Sequence, residues 1–289
     1  MINMKRLSEI MTRDTETELI PETLYSTLIA AVRKKLIGTQ LLALRMGPET
    51  IKGSSIDVVT TNRDSSAVHT VSEGAEVPID LAEFSTFNMK PVKYGVRPVV
   101  TKEMLEDGQW DMIQTNIEEA GARMAEKLDS LILDELATGA ALTTDDNGAS
   151  RSAKSTTGGT AVTISDITTA MASLENDNYK ATDFIVSVEQ ANDIRNIDTF
   201  VEADKSGVSD PTKSLIGTIF GMNVWVTNVI TASYAYVIDR NHALCLAEKR
   251  PITIERYNDA TRDISGVVLT ARWKARYLRP DAMYQIITT

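Results

Sequence analysis

A chain of 289 residues, 43% of them hydrophobic, is long enough for one large domain or two modest ones and apolar enough to bury a real core, which excludes global disorder. A net charge of −10 argues against a protein that wraps nucleic acid by neutralising phosphates, and a single cysteine, Cys245, excludes an intrachain disulfide and fits a reducing cytoplasm. No apolar run approaches the ~18 residues of a membrane span, and the opening MINMKRLSEI lacks the apolar core of a secretory signal.

In chain order, residues 1–20 are polar and irregular and read as an arm. IPETLYSTLIAAVRKKL then reads as a helix, with Pro21 early, where a missing N–H costs nothing, basic residues at its C-terminal end and Gly38 as its stop. TQLLALRM and SSIDVVTT predict two short strands split by Gly47-Pro48. Residues 60–100 alternate apolar and polar in two arms around the Gly/Pro-rich tip EGAEVP, Glu73 to Pro78. Alternation predicts a ribbon with one packed face. A two-stranded ribbon about ten residues long on each side is marginal alone, so it calls for a partner surface that can belong to another chain.

The strongest element follows. From Trp110 to Leu136 there is no proline, and Ile113, Ile117, Ala120, Met124, Leu128, Leu131 and Leu136 form one helical stripe. A helix this long, against a usual mean of about 11–12 residues, predicts a spine. Residues 138–161 are small, polar and loop-like. After them come a helix in SDITTAMASLENDNY, opened by Ser165 or Asp166, a strand in DFIVSV and a helix in EQANDIRNI. MNVWVTN, AYVIDR, ALCLAEK and ITIERYN predict separate strands, a turn runs through DATRDISG, and VVLTARWKARYL and AMYQIIT close the chain as strands.

Charge is uneven along this order. Residues 1–46 carry seven Lys/Arg against five Asp/Glu, residues 249–289 eight against four, and the middle fifteen against thirty-one. Basic ends and an acidic middle suit ends that dock on acidic neighbours, although chance variation along a surface gives the same numbers.

Residues fit for chemistry are few. His69 and His242 lie far apart and, with one cysteine, make no Cys/His metal cluster; no HExxH pattern exists. His69 reads as a surface residue and Cys245, between Leu244 and Leu246, as a buried inert thiol. GASRSAKS, from Gly148 to Ser155, has P-loop spacing, but Ala153 stands where the second glycine belongs and no strand leads into it, so it reads as coincidence. DDNG at 145–148 lacks the ligands of a calcium loop and reads as a turn. Glu118-Glu119 and Asp134-Glu135 read as a solvated helix face. Trp273 among Arg272, Lys274 and Arg276 fits either a stacking site for nucleic acid or a strand with tryptophan on one face and cations on the other.

Arm, helix, strand pair, projecting ribbon, spine helix, polar linker, α/β region and late strands, in that order, resemble the Hong Kong 97-type major capsid protein family of tailed phages and related viruses. The resemblance covers nearly the whole chain. It is carried most specifically by ELIPETLYSTLIAAVRKKL, by SEGAEVPIDLAEFSTFNMKPVKYGVRPVVTKEMLEDG and by VLTARWKARYLRPDAMYQI, with Arg279-Pro280 as the turn before the last strand. It implies an α+β fold: an N-terminal arm (1–20), the entry helix and strands of a peripheral domain (21–59), an extended β-hairpin loop (60–100), the spine helix (101–140), an α/β axial domain (141–250) and closing peripheral strands (251–289).

The same resemblance implies a function. The chain is expected to be no enzyme and to need no cofactor or metal. It is expected to form hexamers and pentamers of an icosahedral shell around double-stranded DNA bound without sequence specificity, in a virion assembled in the host cytoplasm. Scaffold, portal and decoration proteins are the further partners, and no membrane is involved. Loop residues Arg63, His69, Glu73, Glu76, Pro78 and Phe84, with Arg13 and Glu18 of the arm, are the implied intersubunit contacts. Some members link a loop lysine to a neighbour's asparagine beside a glutamate. Here no lysine lies between Lys52 and Lys90, and RDISGVVLTARWKARYLRP has no asparagine, so the shell is expected to be non-covalent. The lack of a long N-terminal extension fits either a cleaved mature form or a separate scaffold, and Met1 favours the second. Two other readings stand beside this one: an encapsulin-type shell that holds protein, against which the N-terminal arm argues, and an α/β enzyme with a hidden site.

Overall fold

The computed structural model of the chain describes residues 37–61, 68–79, 84–103, 112–145, 155–157, 159, 161–195 and 215–288. The arm, the entry helix up to residue 36 and the greater part of GASRSAKS lie outside the described residues. The described fold is α+β, and it divides into two compact units, one containing residues 92–128 and 249–273, the other 37–91, 129–248 and 274–289.

Three helices and thirteen strands make up the described elements, beside two short 3-10 turns. Helix α1 is the expected spine, Met112–Ala140, and its 29 residues give a length of about 43 Å. Its buried stripe runs Ile117, Met124, Leu128, Ile132, Leu136 and Ala140. Ile132 takes the place expected of Leu131, which is only half-buried. The spacing of four between 124, 128, 132 and 136 keeps these residues on one side. Glu119 pairs with Arg123 one turn on, as a solvated face should, but Glu135 accepts from Lys274 Nζ at 2.7 Å and is not part of that face.

In the first unit, β4 (Val92–Val96) and β5 (Val99–Thr101) pair antiparallel with β12 (Ile264–Tyr277), with Val92 opposite Trp273 and Val96 opposite Leu269. Gly266 is required here, because a Cβ would lie 2.2 Å from the Pro98 carbonyl oxygen. The return arm of the expected ribbon, 92–100, therefore belongs to this sheet. Strand β11 (Leu244–Asp259) is continuous where two strands were expected on either side of Pro251. The start of β11, Leu244 to Ala247, belongs to the second unit, where β1 (Leu42–Met46) pairs with it in parallel. Pro251 lies beyond that pairing, where an edge tolerates a missing N–H.

In the second unit, six strands form a sheet in the order β6 (Ser155–Thr157), β13 (Met283–Ile287), β10 (Tyr234–Ile238), β7 (Asp183–Ser187), β9 (Met222–Thr227), β8 (Leu215–Ile219). Phe184, Val186, Val224, Ala235, Val237 and Ile286 from the sheet share one core with Ile167, Ala170 and Leu174 of α2 (Ile164–Asn176) and Ala191 and Ile194 of α3 (Val188–Arg195). The cap of α2 is Thr163, not Ser165 or Asp166. Asp166 donates its N–H to Thr163 Oγ1 and its carboxylate accepts the Thr163 N–H at 3.0 Å, which is the reciprocal box that satisfies two orphan donors. Strand β13 was expected among closing peripheral strands; instead it pairs antiparallel with β10, from Tyr234–Ile287 to Ile238–Met283. Its four buried residues from Met283 to Ile286 explain the destination, since only a sheet covered on both faces hides them all.

Candidate assembly surface

The ribbon expected over 60–100 is found only in part, because 84–89 pairs with the strand read separately as SSIDVVTT and the arms beside EGAEVP form no strands between 68 and 79. Strands β2 (Ile56–Thr61) and β3 (Phe84–Met89) pair antiparallel over six residues each, from Ile56–Met89 at the base to Thr61–Phe84 at the far end. The base is held by its own chain. Met89 is fully buried with Cys245, Met46, Ile51 and Ala247, and Ile56, Val58, Phe87 and Leu278 pack against them. Arg276 lies over the Phe87 ring at 4.7 Å, and Arg279 donates to the Thr61 carbonyl at 3.0 Å. Across the ribbon, Asn88 donates to Asp57 at 2.6 Å.

Beyond the base the chain leaves its own core. Residues 68–79 contain no strand, and every one of them is exposed. Gly74 has φ +80°, and the Ala75 N–H reaches the Ser72 carbonyl at 3.0 Å, so EGAEVP holds a tight turn as its composition predicts. The strand-like arms expected on either side of it are absent between 68 and 79. Val68, Val71, Val77 and Ile79 stand exposed within this one segment, and Phe84, at the start of β3, is 62% exposed.

The structure places the expected contact residues accordingly. His69, Glu73, Glu76 and Pro78 lie on the exposed segment and Phe84 at the outer end of the ribbon. Arg63, Arg13 and Glu18 lie outside the described residues. Sequence reasoning missed Val68, Val77 and Ile79 as contact candidates. Their signal is a β-branched residue beside a turn with no paired strand to bury it.

The side chains weighed for chemistry resolve plainly. Trp273 is 1% exposed and stacks on Tyr94 with ring centroids 6.1 Å apart, so it is a core residue and not a platform for bases. Cys245 is fully buried and donates to the Arg276 carbonyl at 3.3 Å; burial pushes its thiol up to about 12, far from a reactive thiolate. His242 is half exposed and bonds through Nδ1 to buried Asp239 at 2.9 Å. Among the described residues, no group of three or more His, Cys, Asp or Glu converges to hold a metal, and no helix is long and apolar enough to cross a membrane.

One buried carboxylate organises the root of the described chain. Asp129 of α1 accepts the N–H groups of Ile37 at 3.1 Å and Gly38 at 2.6 Å through a single oxygen. These are the donors of a 3-10 turn, Gly38–Gln40, that has no cap of its own. Burial raises the Asp129 pKa, and the two backbone bonds pull the other way.

A phage capsid protein family model matches residues 85–286, about 70% of the chain. The chain belongs to the phage capsid protein family. No curated protein sequence matches it. Among solved structures, the capsid of the cyanophage P-SCSP1u aligns with TM-score 0.70 at 13% identity, covering 88% of each chain. The mature capsid of bacteriophage PhiM1 aligns with TM-score 0.69 at 10% identity, covering 88% of this chain and 87% of that one. A virus-like particle from Pyrococcus furiosus aligns with TM-score 0.58 at 16% identity, covering 92% of this chain and 98% of that one. At these identities the likeness establishes the fold, and that fold is the Hong Kong 97-type capsid fold.

Proposed function

We propose that this capsid protein assembles with copies of itself, as hexamers and pentamers, into a closed icosahedral shell that encloses double-stranded DNA and is held without covalent links. The observation that carries this reading is segment 68–79, twelve consecutive exposed residues between the two strands of an anchored ribbon. Val68, Val77 and Ile79, each at least 67% exposed, bury little against their own chain and suit the surface of a neighbour. In this reading the contact residues are His69, Glu73, Glu76, Pro78 and Phe84 with Arg63, and Arg13 and Glu18 of the arm. The acidic Glu73 and Glu76 suit the basic ends of adjacent chains. Helix α1 and the sheet of β4, β5, β11 and β12 act as the peripheral domain, and the six-stranded sheet acts as the axial domain around the symmetry axes. DNA is held without sequence readout. Assembly takes place in the host cytoplasm, with scaffold, portal and decoration proteins as further partners and no membrane. The chain performs no catalysis.

Electron microscopy of particles formed by the expressed chain, with absorbance for nucleic acid, tests this. Closed shells that package DNA in the presence of the phage machinery are expected. Shells filled with protein would favour an encapsulin-type compartment, the second reading, which draws on the likeness to the Pyrococcus furiosus virus-like particle. Small discrete particles at every concentration would contradict both. On a denaturing gel after boiling, shells should yield a single band at the 31.7 kDa of the chain. A ladder would overturn the non-covalent reading.

A further inference from the structure

Phe220 occupies a hairpin-turn position whose backbone conformation strains a bulky side chain. Strands β8 and β9 join through a two-residue turn, Phe220-Gly221, closed by the pair Ile219–Met222. Both turn residues have positive φ, 49° and 81°. This is the type I′ pattern, whose first position suits Asn, Asp or Gly and strains a bulky side chain. The ring is not buried in exchange; it is 51% exposed. Strain retained beneath an exposed aromatic ring points to a contact outside the chain.

Position narrows the contact. In the parallel ladder Asn223 pairs with Asp183 and Thr227 with Ser187, so the Phe220 turn lies at the end of the sheet where β7 begins. Val188 directly follows β7 and Val229 lies just beyond β9, both at the opposite end, and they are 54% and 37% exposed. The Ser187 hydroxyl donates to the Ala232 carbonyl at 2.7 Å, which holds the β9–β10 connection against the end of β7. One sheet thus carries exposed apolar residues at both ends, separated by the ~17–20 Å of a typical strand. Patches at opposite ends of a subunit can meet head to tail, and such contacts form a ring where the rotation between copies closes, as a closed shell requires.

We propose that the Phe220 turn is a knob received by the Val188–Val229 end of a second copy, head to tail, around each ring of the shell. The inference rests on the shell reading above, which supplies the second copy as occupant.

The test compares wild type with Phe220→Asn by sedimentation and thermal unfolding. Asparagine suits the turn, so the dissociated subunit should gain about 2–4 °C in Tm. Assembly should fall at least tenfold, as for loss of a buried aromatic anchor. A second variant, F220C with V229C, is treated with a short bismaleimide; the one native cysteine is buried, so new links report the designed pair. A ladder of linked chains is expected from the double variant and monomers from each single variant. Wild-type assembly by F220N, a lower Tm in F220N, linking by F220C alone, or no links in the double variant would each overturn the contact. A wild type that forms no oligomer would count against the shell reading itself.

Discussion

The six-stranded sheet and the segment 68–79 use apolar residues in opposite ways. Strand β7 is buried along its whole length, and Phe184, Ile185 and Val186 have no exposed surface. Segment 68–79 has no buried residue at all, although Val68, Val71, Val77 and Ile79 lie within it. The first region is complete within one chain. The second is not buried by the described residues of its own chain, and in the proposed reading its other half lies on another copy. Hydrophobic content therefore does not separate core from contact surface; the presence of a paired, doubly covered strand does.

Breaking the complete region should cost the most. Phe184→Ala opens a cavity in the core shared by the sheet, α2 and α3, and is expected to destabilise the subunit by about 3–5 kcal/mol in urea unfolding. A loss below about 1 kcal/mol would mean that this core is not the one that holds the subunit together.

A smaller effect is expected at Asp129. Asp129→Ala leaves the Ile37 and Gly38 N–H groups without their acceptor and should cost about 1–3 kcal/mol. Asp129→Asn keeps an acceptor and removes the charge. Because burial raises the folded-state pKa of Asp129, the folded state holds the proton more tightly than the unfolded chain. Its contribution is then complete below the ordinary Asp range and is lost as pH rises through the raised pKa. Wild-type stability relative to Asp129→Asn should accordingly decline as pH rises through that interval. An opposite slope would show that the two backbone bonds outweigh burial.

The smallest effect concerns charge. Contacts between basic ends and the acidic middle are screened beyond about 8–10 Å at physiological ionic strength, so assembly yield should fall modestly from low to moderate salt. A rise in yield would assign the interfaces to apolar burial, with Phe220, Val77 and Ile79 as the side chains that supply it.

Much of the fold could be read in the sequence where order is local. The stripe through Ile117, Met124, Leu128 and Leu136 announces α1 because helical periodicity needs no knowledge of the partner. Turn chemistry announces Gly74. The reading failed where pairing over distance decides. The destination of β13 depends on β10, some fifty residues earlier in the chain. Pro251 reads as a break, yet an edge lets β11 run through it. The β8 segment, five residues long and carrying Gly217, gave no clear strand signal. The alternation of 84–89 did not reveal that Met89 faces Cys245, so the anchored base of the ribbon was illegible and its free length was overestimated. Of the assembly surface, the turn and its carboxylates were legible; the exposed valines were not, because exposure is a property of the finished fold.

The central claim is that 68–79 belongs to a contact between chains and not to the fold of one. Replacing residues 62–82 with a short Gly/Ser turn tests it most directly, since β2, β3 and the cluster around Met89 remain. Sedimentation and circular dichroism are measured on the same sample. The account predicts a native spectrum, a Tm within about 2–4 °C of the wild-type subunit and no shells. An unfolded chain, or shells formed as by wild type, would contradict it.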